Sequence, residues 1–204
     1  MDIAQARKRA NHAVWIGSEA IYVWHKKDAS VERVELPPAG PVPYVPRFQG
    51  VWEEASQKAF QSQLTSALGG RLRIRMSDIL VAIPDDATWI ETRALQDFFL
   101  MSGSGAPDKK LFFYSQSVLL GPSEHSFIAV TWSCRCFSVC LIQNGTVQNR
   151  IHLAAGHCKP EDLDTAIRSI NFGSNLPIYY SDAETAPISQ IPGTAVPMGQ
   201  LFTQ

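Results

Sequence analysis

The sequence predicts an α/β chain in which one order of elements is used twice: three strands, a helix, then a strand. Three observations carry this. Short apolar runs such as residues 79–83 and 127–132 alternate with stretches whose apolar residues recur at intervals of three and four. Glycine, proline and Asn-Gly signals punctuate them. The pattern then begins afresh at Phe127.

Residues 13–17, 20–26 and 31–36, separated by Gly17 and by the turn Lys27-Asp28-Ala29-Ser30, read as a three-stranded meander. Residues 37–46 carry five prolines, which remove ladder donors and forbid a helix, so 37–49 is expected to run as an extended strap. From 50 to 68, Val51, Trp52, Ala55, Phe60, Leu64 and Leu68 keep helical spacing until Gly69-Gly70. Residues 79–83, closed by Pro84, read as a strand covered on both faces. Residues 88–102 return to helical spacing through Ala94, Leu95, Phe98 and Phe99, and Gly103-Ser104-Gly105 ends them. A strand at 111–114 and a short helix at 117–120 follow.

The second round runs 127–132, 137–143, the Asn144-Gly145 turn and 147–153, then a helix over 161–170 behind Pro160 and a strand at 177–180. Residues 186–204, with three prolines, read as an extended surface tail. The expected division is a first lobe over 1–122, a shortened second lobe over 123–185, and the tail. Trp24, Trp52 and Trp89 sit at strand or helix positions that suit core packing.

Composition excludes several classes. With 204 residues, 45% of them hydrophobic, the chain can bury a substantial core. Its 18 basic and 19 acidic side chains leave a formal charge of −1, so no global field draws it to nucleic acid or to an anionic leaflet. The apolar runs fall far short of the roughly 20 residues that a membrane-spanning helix needs. Residues 1–9 are basic without an apolar signal core behind them, which reads as a chain that starts in the cytoplasm. Cysteines 134, 136, 140 and 158 read as buried small hydrophobes and one loop thiol in a reducing compartment. The competing reading, a zinc- or redox-sensing module on Cys134, Cys136, His157 and Cys158, lacks CxxC spacing.

The duplicated order resembles the actin-like (ribonuclease H-like) ATPase superfold. Asp78-Ile79-Leu80-Val81-Ala82-Ile83-Pro84 followed by Glu91-Thr92-Arg93-Ala94 is similar to the strand, proline, turn and E-x-R-A helix of bacterial actin-like proteins. Residues 111–118, 128–145 and 150–156 fit the strands that follow in that family. The resemblance implies a reduced fold of two βββαβ(α) lobes, with the proline strap and the short 157–160 link standing where inserted subdomains usually lie.

It also implies a nucleotide cleft whose marks are eroded. The turn after each first strand should cradle phosphate on glycine-rich backbone beside an acidic residue. Here the first reads Trp15-Ile16-Gly17-Ser18-Glu19, with Trp15 in the acid's place, and the second reads Thr131-Trp132-Ser133-Cys134-Arg135, with Thr131 in the acid's place. The degenerate cleft positions are thus Trp15, Gly17, Ser18, Thr131, Trp132 and Ser133, with both indoles expected to fill nucleotide space. No catalytic residue, metal or cofactor is expected, ATP with magnesium being disfavoured, and the chain is expected not to be an enzyme. It is similar to PilM-type proteins of type IV pili and to the cytoplasmic region of the type II secretion L protein. That likeness implies a scaffold at the cytoplasmic face of the inner membrane, holding a membrane protein or an assembly ATPase. The alternative is an active ATPase or kinase using Glu19, Asp78, Asp85 or Asp86. For Asp85 and Asp86 the structural counter-reading is a cap on the helix near Thr88, and for Arg135 it is simple exposure.

Overall fold

The structure is a computed structural model describing residues 2–36, 54–70, 78–102, 111–171 and 173–203. The strap at 37–49, Trp52 and Gly103-Ser104-Gly105 lie outside the described residues. A short helix, α1 (Ile3–Arg9), precedes the first meander of β1 (His12–Ile16), β2 (Ala20–His25) and β3 (Ser30–Glu35). Then come α2 (Glu54–Ala67), β4 (Ile79–Ile83), α3 (Trp89–Ser102) and β5 (Leu111–Ser115). A 3-10 turn at Gln116–Leu119 leads to β6 (Phe127–Trp132), β7 (Cys136–Gln143) and β8 (Thr146–Ala154). The chain closes with α4 (Pro160–Ile170), β9 (Ile178–Ser181), β10 (Thr194–Val196) and α5 (Met198–Leu201).

The strands form two five-stranded sheets, ordered β3-β2-β1-β4-β5 and β8-β7-β6-β9-β10. Each is an antiparallel meander whose first strand pairs in parallel with the strand after the helix: β1 with β4, and β6 with β9. This is the duplicated order read from the sequence. The described chain divides into two units, residues 9–83 with 87–113, and residues 1–8 with 84–86 and 114–204.

In the first unit, alternation places Val14, Ile16, Val23 and Val81 on one face, where they join Leu64 of α2 and Leu95 of α3 in a single core. The rings of Phe60 and Phe98 stack across it at 5.6 Å. Burying each such side chain is worth about 1.5–3 kcal/mol, so helical spacing that aims Leu64 and Leu95 inward decides the placement of both helices. The start of α3 is fixed by a capping box. The Thr88 amide and hydroxyl donate to Glu91 Oε2 at 2.9 and 3.0 Å, and the Glu91 amide donates to Thr88 Oγ1 at 3.3 Å. Asp85 and Asp86 are not that cap.

Trp89 does not enter the core; it is 79% exposed. It lies six residues before Leu95, roughly 240° round the helix from the buried face.

In the second unit Leu163, Ala166, Ile167 and Ile170 of α4 cover Val130, Phe137 and Val139. Pro160 opens α4, and Asp162 Oδ2 accepts the Lys159 amide at 3.0 Å. Asn144 and Gly145 take positive φ of 49° and 69°, as the tight β7–β8 turn requires. The C-terminal stretch is not a loose tail. β10 pairs in parallel with β9, Met198 donates its amide to Asp182 Oδ1 at 3.1 Å, and Val196, Leu201 and Phe202 are buried. Its apolar residues are too sparse for periodicity to reveal, yet Val196, Met198, Leu201 and Phe202 are all buried. Among the described residues no helix is long and apolar enough to cross a membrane.

Candidate functional site

Strands β6, β7 and β8 turn one face to α4 and the other to a set of polar side chains. Thr131, Ser138, Cys140, Arg150 and His152 share that second face because register pairs Thr131 with Ser138, Ser138 with His152, and Cys140 with Arg150. Pro84 ends β4, and the turn at 85–86 sets Asp85 against these groups.

The Asp85 side chain is fully buried. Its carboxylate accepts the Ser117 amide at 2.9 Å, the Ser117 hydroxyl at 2.5 Å and the Thr131 hydroxyl at 2.9 Å. Arg150 Nη1 donates to the Asp85 carbonyl at 2.6 Å, and Nη2 lies 3.4 Å from Oδ1. A buried carboxylate is costly without such partners. Burial pushes the Asp85 carboxyl above its ordinary value, while Ser117, Arg150 and Thr131 pull it back. The neighbouring Cys140 thiol, 3.9 Å from Oδ1, is pushed up to about 12 by burial and by the charge on Asp85.

Asp86 organises the β6–β7 hairpin. Its Oδ2 accepts Ser133 Oγ at 2.8 Å and Arg135 Nε at 2.7 Å, and its carbonyl accepts Arg135 Nη2 at 2.6 Å. Ser133 Oγ in turn accepts the amides of Arg135 and Cys136 at 3.0 and 3.2 Å. Two backbone donors that could face an anion are thereby spent inside the turn, so the hairpin as it stands does not fit a phosphate cradle. Arg135 is paired rather than simply exposed.

Farther along this face, His152 Nδ1 lies 2.9 Å from Ser138 Oγ and 3.5 Å from Cys136 Sγ. Burial, and then the charge of Arg150, lower the imidazole pKa. A serine within reach of a histidine is the local geometry of an activated hydroxyl. With Ser138 only 2% exposed, however, an outside substrate does not reach it.

In the first unit Trp15 is buried within β1, and Gly17 closes the hairpin by donating its amide to the Ala20 carbonyl at 2.9 Å. Ser18 is half-buried and Glu19 exposed. Asp78 is held by Arg9 at 2.9 Å. Trp132 belongs to the core beneath α4, with Phe137 and Tyr180 at ring-centroid distances of 6.3 and 6.5 Å, so its volume is spent there rather than in nucleotide space. Among the described residues no group of three or more His, Cys, Asp or Glu side chains is placed to hold a metal ion. The set Cys134, Cys136, His157 and Cys158 is therefore not assembled. Cys136 points to Ser138 and His152, whereas Cys158 lies at the approach to α4.

Sequence reasoning named Asp85, Asp86, Thr131, Ser133 and Arg135 one by one without joining them, and it missed Ser117, Ser138, Arg150 and His152. The signal was present: polar residues at alternate positions of strands whose other face is apolar.

No family model matches the chain, and no curated protein matches it. Among solved structures it is similar to MreB5 of Spiroplasma citri bound to AMPPNP, at 15% identity and a TM-score of 0.47, covering 79% of this chain. The chain spans 57% of the length of that MreB5. It is also similar to the ethanolamine utilization protein EutJ of Carboxydothermus hydrogenoformans, at 13% identity and a TM-score of 0.45, covering 84% of this chain and 75% of the other. A chain described as a putative N-acetylglucosamine kinase of Porphyromonas gingivalis matches at 10% identity and a TM-score of 0.54, covering 94% and 96%. The fold is thus mixed α/β with two five-stranded sheets, of the actin-like ATPase and kinase type. The sequence-based expectation of a chain that is not an enzyme is corrected here. The fold matched over nearly the whole of both chains is that of a chain described as a putative N-acetylglucosamine kinase.

Proposed function

We propose that the chain is an actin-like-fold adaptor of an inner-membrane assembly platform of the type IV pilus or type II secretion class. In that role it holds the cytoplasmic segment of a membrane-anchored partner, or an assembly ATPase, at the cytoplasmic face. The observation that carries this is the β6–β7 hairpin. Ser133 and Asp86 hold it as a self-bonded, ordered turn, a fixed shape on which a partner can dock. The likeness of residues 78–94 and 128–156 to bacterial actin-like proteins supports the same class of role. Nucleotide binding by this fold is compatible with holding a partner, and titration with MgATP measures it separately.

The test is co-expression of the full chain with the cytoplasmic segments of the platform membrane proteins and with the assembly ATPase of the same host. An isolable complex of fixed stoichiometry, with micromolar or tighter affinity, is expected. Failure of every such pair to associate in light scattering and calorimetry overturns the adaptor role.

A further inference from the structure

We infer that the outer edge of β8, with the groove between β8 and α4, takes an extended basic peptide of a protein partner as an added strand. This names the partner chemistry of the adaptor role and rests on it.

β8 is the last strand of its sheet, nine residues long, and among the described residues no strand pairs with its outer side. Antiparallel pairing alternates residues that bond inward with residues that bond outward. Ala155 donates its amide inward to the Arg135 carbonyl, so the odd residues pair with β7 and the even ones face out. The Arg150 amide is already taken by Asn149 Oδ1 at 2.8 Å, which leaves His152 and Ala154 as the outward rungs. The guards on this edge, a bulge opposite Leu141 and Ile142 and the Arg150 guanidinium turned inward onto Asp85, lie before His152 and Ala154 and leave those two rungs open.

Beside this edge lies a cavity of about 540 Å³. Ile151 and Leu153 form its floor, Ala166 and Thr165 one wall, and Asp162 and His157 one end. Ile151 and Leu153 pack on the core yet stay partly exposed. A strand laid along β8 sends every second side chain toward this floor, which is the pairing of backbone ladder and side-chain pocket that strand addition uses. Charge selects the occupant. Asp162 lines the groove and Glu161 stands beside it in the first turn of α4, against Lys159 alone, so a lysine or arginine on the added strand meets carboxylate at that end.

The experiment is selection of phage-displayed random twelve-residue peptides on the immobilised full chain. The expected consensus has two apolar residues two positions apart, with Lys or Arg within two positions of them. Synthetic peptides of that sequence should lose at least tenfold in affinity on Leu153→Arg. They should lose as much on Thr165→Arg, which blocks the groove from an exposed helix position and leaves the core untouched. Asp162→Asn, which keeps the helix cap, should relax the preference for a basic residue, and Trp89→Ala should change nothing. No enrichment, or equal binding to wild type and both groove variants, overturns the proposal. If platform segments bind wild type and both variants alike, the groove is overturned and the adaptor role stands. If selected peptides need the groove but no platform segment binds, the groove stands and the platform assignment falls.

Discussion

The two sheets share one strand order and differ in what they bury. In the first, β1 and β4 are buried along their whole length, and on the face packed on the helices these two strands carry one polar side chain, His12, whose Nδ1 lies 3.1 Å from that of His25. In the second, α4 covers an apolar face while the opposite face is built round the carboxylate of Asp85. Identical topology thus tolerates oil on one sheet and a hydrogen-bonded ion on the other. Strand order follows from pairing and chirality, whereas face chemistry needs only that each polar atom find a partner.

The largest effect expected is at that carboxylate. Asp85→Ala should cost about 3–5 kcal/mol in urea unfolding, since it leaves Arg150, Ser117 and Thr131 facing a hole. An apolar truncation in the first sheet, Val14→Ala, should cost less, about 1–3 kcal/mol, because no polar partner is orphaned. Equal losses would erase the contrast. Next comes Gly193→Ala. A Cβ there would lie 2.5 Å from the Ile178 carbonyl, on a φ of +114°, so about 1–3 kcal/mol and the docking of β10 should be lost, read as amide exchange at Val196. Arg7, 3% exposed and lowered to about 10 by burial, donates to the Leu119 and Gly121 carbonyls at 2.8 and 3.2 Å. Arg7→Met should cost about 1–3 kcal/mol by stripping those carbonyls of their donor.

The smallest effect is a titration. His152 binds its proton more weakly folded than unfolded, so its contribution to stability is full above the ordinary value of 6.5 and declines as pH falls through that value toward the lowered one. Its ring resonances should shift with a midpoint below 6.5. A midpoint above it would mean that Asp86 and Asp85, and not burial, dominate that face.

Both meanders, the helices over Leu64, Leu95 and Leu163, and the parallel returns at β4 and β9 were legible because each rests on hydrophobic period, which is local in sequence. Trp89 was misread because size suggests burial, while helix phase at the first turn decides it. Asp85 was read as a cap or a catalytic acid because its partners lie 32, 46 and 65 residues away, and no local pattern encodes such distances. The C-terminal strand and helix were invisible for a related reason. β10 has three residues and borrows its ladder from β9.

Segment 84–86 and residues 1–8 belong to the unit completed by residues 114–204, although the intervening chain builds the other one. The Arg7 side chain finds Leu119 across a separation of 112 residues, a closure that costs about 4 kcal/mol by polymer scaling. During synthesis on the ribosome, the earliest residues to emerge must therefore wait until more than half of the polypeptide has followed before they find their seats. For the same reason no single cut yields two self-sufficient fragments. Half-molecules should regain native structure only when both pieces are supplied together.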